Sequence, residues 1–216
     1  MKKALLASLA IALAYAATAA PAFAQVLYTS GPSSYDSDAY TISTTYYVTD
    51  SFDPTVSGTA TSAEFVAWFH LGESLTDVSW SIGTAPDTSD VGSGTVDPSA
   101  SFIETNGVGA GADVYLETFS LPSLSLTSGD TYYFTLQNGV STGGDAYWDY
   151  NDNYATGYQG GLRGSNGAIG SETFEILGTA DTATPEPSTL LLLATGLLGL
   201  GLPLATRARP TLPARP

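Results

Sequence analysis

The chain has 216 residues, with 21 Asp and Glu against six Lys and Arg, one His and no Cys. Without cysteine there is no disulfide, thiol nucleophile or thiolate metal site, and a single His rules out a multi-histidine metal site within one chain. A net charge of −15 repels phosphate-rich polymers, which excludes a nucleic-acid role.

Met1-Lys2-Lys3 is a basic start, Ala4 to Ala20 is apolar, and Ala22-Phe23-Ala24 fits a small-x-small cleavage site. Residues 1–24 therefore read as a secretory signal peptide, with the mature chain starting at Gln25. The 160 residues from Gln25 to Thr184 are long enough for one domain with a packed core. That domain keeps twenty of the acids and one cation, Arg163, a net charge of −19. Such a surface stays soluble by self-repulsion, avoids anionic membranes and attracts divalent cations.

The domain is rich in Thr, Ser, Tyr, Val and Gly and shows no sustained helical period, which predicts an all-β fold. Val26 to Thr29 is a short first strand and Gly31 to Asp38 a loop. Tyr40 to Thr49 alternates, with Tyr40, Ile42, Tyr46 and Val48 on one side, and Asp53-Pro54 turns the chain. Glu64 to Leu71 is apolar on both faces: Phe65, Ala67, Phe69 and Leu71 point one way, Val66, Trp68 and His70 the other. It reads as a central strand. Thr76 to Gly83 points Val78, Trp80 and Ile82 inward, and Ala85 to Asp97 is a polar stretch. Ala100 to Glu104 and Asp113 to Phe119 are strands. Leu121 to Leu126 is a connector that tucks Leu124 and Leu126 beneath. Thr131 to Gln137 points Tyr132, Phe134 and Leu136 inward. Ala146 to Tyr150 is an aromatic strand, Asn151 to Gly170 a long loop, and Glu172 to Leu177 closes the domain with Phe174 and Ile176 inward. Seven to nine short strands imply an antiparallel, jelly-roll-like β-sandwich over residues 25–178, with a polar linker at 179–184.

Three local patterns are candidate sites. Asp149-Tyr150-Asn151-Asp152-Asn153 alternates oxygen ligands as a calcium loop does, giving Asp149, Asn151 and Asn153 as candidate ligands. An EF-hand is rejected, because Tyr154 stands where it needs Gly and Gly160 where it needs Glu; the alternative is an Asx-rich turn. Asp36 and Asp38 form a weaker pair of the same kind. Trp148, with Tyr147, Tyr150, Tyr154 and Tyr158 nearby in sequence, is a candidate platform for sugar rings, the alternative being core packing; Trp68 and Trp80 read as core. His70 beside Glu73 reads as a strand-end residue rather than a general base. With twenty acids, no carboxylate pair for glycoside hydrolysis stands out.

The end of the chain is the most specific stretch. Pro185-Glu186-Pro187-Ser188-Thr189 precedes an uncharged run, Leu190 to Ala205, with nine Leu, followed by Arg207, Arg209 and Arg215. Sixteen residues make roughly 24 Å of helix, a little short of the ~30 Å hydrocarbon core. Residues 189–206 are thus a modest transmembrane helix whose arginines stay cytoplasmic. This order of tripeptide, apolar span and basic end resembles the PEP-CTERM sorting signal of Gram-negative bacteria. The resemblance implies recognition at Pro185, Glu186 and Pro187 by an exosortase, a membrane-embedded processing enzyme, and association with the cell surface and exopolysaccharide. One departure is the spacing of the arginines and the extension through Pro210-Thr211-Leu212-Pro213. The stretches Leu126 to Leu136, Tyr147-Trp148-Asp149 and Ser171 to Ile176 resemble domains found ahead of such tails, a likeness that carries no catalytic residue. The expected function is a non-enzymatic surface or matrix protein, anchored in the inner membrane by its tail and then moved to the surface or medium. The alternatives are a carbohydrate- or calcium-binding module and, more remotely, a secreted glycan-active enzyme.

Overall fold

A computed structural model describes residues 24–33, 38–107, 111–151, 157–161 and 167–181. The chain divides after Asp181 into two units; the second, with the sorting tripeptide and the predicted membrane helix, lies outside the described residues, as does the predicted signal peptide up to residue 23. No helix among the described residues is long and apolar enough to cross a membrane; the described secondary structure is all strand.

Two antiparallel sheets carry the fold. The eight-stranded sheet contains β1 (Gln25–Thr29), β2 (Ala39–Thr41), β4 (Gly58–His70), β7 (Ser99–Asn106), β8 (Ala112–Leu126), β10 (Tyr147–Asn151), β13 (Ser171–Glu172) and β14 (Phe174–Ala180). The six-stranded sheet runs β12 (Gly167–Ile169), β11 (Gly157–Gly161), β3 (Tyr46–Phe52), β9 (Tyr132–Ser141), β5 (Leu75–Gly83), β6 (Gly92–Val96). β4 is the centre of the larger sheet. β8 pairs along one of its edges from Gly58↔Leu126 to His70↔Ala112. Its other edge is divided: β14 takes Gly58 to Phe65, and β10 takes Ala67 and Trp68.

The sheets share one core, so they pack face to face as a sandwich. Period-2 alternation decides which side chains enter it. Val78, Trp80 and Ile82 of β5 and Tyr132, Phe134 and Leu136 of β9 meet Phe65, Phe119, Trp148 and Phe174 of the other sheet. Phe134 lies at the middle, with its ring 5.2 Å from Phe174, 5.4 Å from Trp148 and 6.4 Å from Phe119. Val66 and Trp68 face the other way and bury with Val114 in a smaller cluster, so β4 is covered on both faces as its sequence predicts.

The structure corrects several boundaries. The predicted strand 40–49 is cut in two by a turn at Thr44-Thr45, where Thr45 takes a φ of 87°. Leu71, expected inward, is 57 % exposed because β4 ends at His70. Residues 121–126 are no connector: β8 runs through them and pairs with the early part of β4, while Leu124 and Leu126 are buried as predicted. The polar stretch 85–97 contains β6, whose glycines make room for larger neighbours: a Cβ on Gly92 would meet Leu124 at 2.8 Å and one on Gly94 would meet the Trp80 indole at 3.0 Å. The predicted loop 151–170 contains the β11–β12 hairpin. β14 continues to Ala180, two residues into the expected linker.

Candidate functional site

β10 carries Trp148 and two of the three predicted calcium ligands, Asp149 and Asn151, and β2, β4 and β13 flank it. Trp148 points into the core and is fully buried. The rings of Phe65, Phe134 and Phe174 meet it edge-on at 5.4 to 6.3 Å, and its Nε1–H donates to the Thr173 carbonyl at 3.0 Å. It therefore offers no face to a sugar, and its reading as a glycan contact is corrected to core packing.

Asp149 and Asn151 lie on the opposite side of β10 and are buried as well. Asp149 Oδ2 accepts hydrogen bonds from Ser33 Oγ and from Thr173 Oγ1, the latter at 2.8 Å. Asn151 Nδ2 donates to the carbonyls of Ser30 and Glu172 at 3.2 and 3.0 Å. These are strand residues that tie the segment after β1 to the segment before β14, not the opening of an exposed loop. Asn153, the third predicted calcium ligand, and Asp36 lie outside the described residues. Among the described residues no group of three or more His and acidic side chains is arranged to hold a metal ion.

Two acids that the sequence did not single out join Asp149 in this corner. Asp50 enters from β3 on the same side as Val48 and Phe52, and Glu172 enters from β13. Asp50 Oδ2 accepts from Ser171 Oγ and from the Glu172 backbone N–H, each at 2.7 Å. Asp50, Asp149 and Glu172 are all fully buried. Oδ1 of Asp50 and both carboxyl oxygens of Glu172 have no hydrogen-bond partner among the described residues, and no Lys or Arg occurs among those residues. An ionised carboxylate here would lose its water without gaining a cation, so the neutral form is favoured. Burial pushes Asp50 up to about 6, against the opposing hydrogen bonds from Glu172 and Ser171. Burial raises Glu172 well above the usual carboxylate range, with Asp50, Asp149 and Asp38 adding to it. Burial therefore favours the protonated forms of Asp50 and Glu172. Alternation offered a signal for it: carrying the Tyr46, Val48 face past Thr49 places Asp50 inward. Carrying the Phe174, Ile176 face back by two residues places Glu172 inward in the same way, although its own strand is only two residues long.

A fourth buried acid, Glu117 of β8, is pushed up to about 7 by burial and by Asp97. His70 ends β4, exposed; its carbonyl accepts the Glu73 N–H at 3.0 Å, as expected of a strand-end residue.

The last strand stops at Ala180, five residues before Pro185-Glu186-Pro187. The chain is thus an all-β module carried ahead of a C-terminal signal. That signal is the PEP-CTERM protein-sorting motif, whose family model matches residues 183–209. The motif implies export, a membrane-anchored sorting signal and processing by an exosortase. No curated protein and no solved structure matches the chain.

Proposed function

We propose that the protein is a non-catalytic component of the cell surface or extracellular matrix. Residues 1–24 direct secretion and are removed. The jelly-roll-like sandwich is then held at the inner membrane by a helix over about residues 189–206, until an exosortase reads Pro185, Glu186 and Pro187 and passes the domain on. The single observation that carries this reading is the sorting motif at 183–209, which begins three residues after the last strand. The reading of the domain as non-catalytic is supported by the burial of the acids displaced furthest upward, Asp50, Glu117 and Glu172.

Mass spectrometry of the protein recovered from cells and medium tests it. The released form should begin at Gln25 and lack the arginine-bearing end. Replacing Pro185, Glu186 and Pro187 with alanine should leave the chain in the inner membrane with that end intact. Release of the variant at the parental level, with the parental terminus, would refute recognition at this tripeptide.

A further inference from the structure

We infer that the outer face of the six-stranded sheet, centred on Tyr47, Tyr133 and Tyr158, binds an uncharged polysaccharide. Alternation places these rings outside: Val48, Asp50 and Phe52 of β3 are buried, so Tyr47 points away from the core. Tyr133 of β9 and Tyr158 of β11 share that side through the pairs Ser51↔Tyr133 and Thr49↔Tyr158. All three are only half-buried.

Two open grooves mark the ends of this face. One, of about 280 Å³, runs between Pro86 of the β5–β6 loop and the β11–β12 hairpin, with Tyr133 and Tyr158 on its walls and Thr49 in its lining. The other, of about 440 Å³, is lined by Thr45, Tyr46, Tyr47, Gln137 and Asn138 among others. The Tyr47 and Tyr158 rings, 6.3 Å apart, connect them. Tyr47 lies across Gly160, where a Cβ would come within 2.3 Å of the ring, so the absence of a side chain there fixes its place.

Three observations converge on the ligand class. First, no described residue lining either groove is charged, although the mature domain holds twenty acids. A cationic partner would find its complement elsewhere on the surface, and an anionic polymer is repelled by the whole domain. Second, a phenol offers an apolar ring face and a hydroxyl at once, which suits the C–H faces and hydroxyls of neutral sugars. Burial, with Asp87 and Tyr158 beside it, raises the Tyr47 phenol, which keeps its proton available for donation. Shallow grooves joined end to end suit a chain rather than a small molecule, which favours an enclosed pocket of roughly 300–1,000 Å³. Third, the three non-glycine residues with left-handed backbone among the described residues are Thr45, Asp87 and Asn138. Thr45 and Asn138 line the larger groove, and Asp87 follows Pro86 of the smaller. Such backbone persists where the surroundings hold it, and it gathers at ligand sites.

The rival cleft, of about 190 Å³, offers the single half-buried ring of Tyr147, since Trp68 is 6 % exposed, and it has an acid, Asp38, in its lining.

Affinity electrophoresis of the full chain in detergent decides the matter, in native gels cast with hydroxyethyl cellulose, galactomannan or dextran, and with alginate as the anionic control. At least one neutral polymer should retard the protein. Half-retardation should need at least tenfold more polymer for the double variant Tyr133→Ala, Tyr158→Ala, while Tyr133→Phe, Tyr158→Phe stays within threefold of the parent. If melting shows that the alanine variant does not fold, Gly160→Ala, which displaces Tyr47, is read instead and should weaken retardation severalfold. Retardation by alginate alone, by none of the polymers, or equally of parent and folded variant would overturn the inference. It deepens the surface reading, yet the gel probes the face without reference to the tail, so the two fail separately.

Discussion

Two regions of one sandwich treat charge in opposite ways. At the corner between β3, β10 and β13, three carboxyls are buried among side chains with no Lys or Arg in the described structure. On the outer face of the six-stranded sheet, two grooves open to solvent carry no charge among the described residues of their linings. Composition alone would put acids outside and aromatic rings inside. The contrast teaches that in so acidic a chain the informative positions are the ones where acids are missing from the surface and the ones where they are hidden in the interior. The first kind points to a ligand, and the second to the energetics of the fold.

The comparison can be broken from the corner side first. Trp148→Ala should cost about 3–5 kcal/mol, as for a large buried ring, seen in chemical denaturation. Loss of polysaccharide retardation without loss of stability would instead put Trp148 back at the surface and erase the distinction.

Next in size is pH. The unfolded chain gives up its carboxyl protons near pH 4, whereas the folded one keeps those of Asp50 to about 6 and Glu117 to about 7, and burial holds Glu172 well above the usual carboxylate range. The folded state binds more protons across that window, so these groups favour folding most at low pH and that contribution falls as pH rises through 4 to 7. The rise of the Asp50 carboxyl to about 6 alone corresponds to roughly 3 kcal/mol. Urea unfolding at pH 5 and pH 8 should therefore give the lower midpoint at pH 8; equal midpoints would show that the corner is not proton-loaded.

Glu172→Gln sharpens the same point at one residue. It should raise stability at pH 8 by about 1–3 kcal/mol, by removing a carboxylate that has no partner among the described residues, with little effect at pH 4. A loss at pH 8 would reveal a compensating cation outside the described residues. The smallest effect is expected on the tyrosine face: Gly160→Ala should change stability by about 1 kcal/mol or less while weakening retardation severalfold, so that binding and stability separate at one atom.

Much of the fold was legible wherever alternation was clean. β5, β9 and β14 present the predicted inward sets, and both faces of β4 are covered. What stayed hidden was hidden by glycine. Gly92 and Gly94 make β6 read as loop, yet they are what lets Trp80 and Leu124 pack against it. Gly157, Gly160 and Gly161 likewise disguised β11, and with it the neighbour of Tyr47 and the place of Tyr158. The site residues failed for a related reason. Asp149, Asn151 and Trp148 alternate along a buried strand, and a run of Asp and Asn in sequence looks the same whether it caps a loop or latches a core. The sorting motif was legible because it is read by residue order in the chain, without reference to the packing of the domain.

The arrangement of the first and last strands has a mechanical consequence. β1 pairs with β14 from Gln25↔Gly178 to Thr29↔Glu175, and β14 lies between β1 and β4. The tail leaves directly from β14. Freeing β14 therefore means breaking the rungs of two ladders, to β1 and to β4. The same closure means that the sheet cannot zip shut until the chain as far as residue 180 is free to pair, so the first strand of the domain waits for the last.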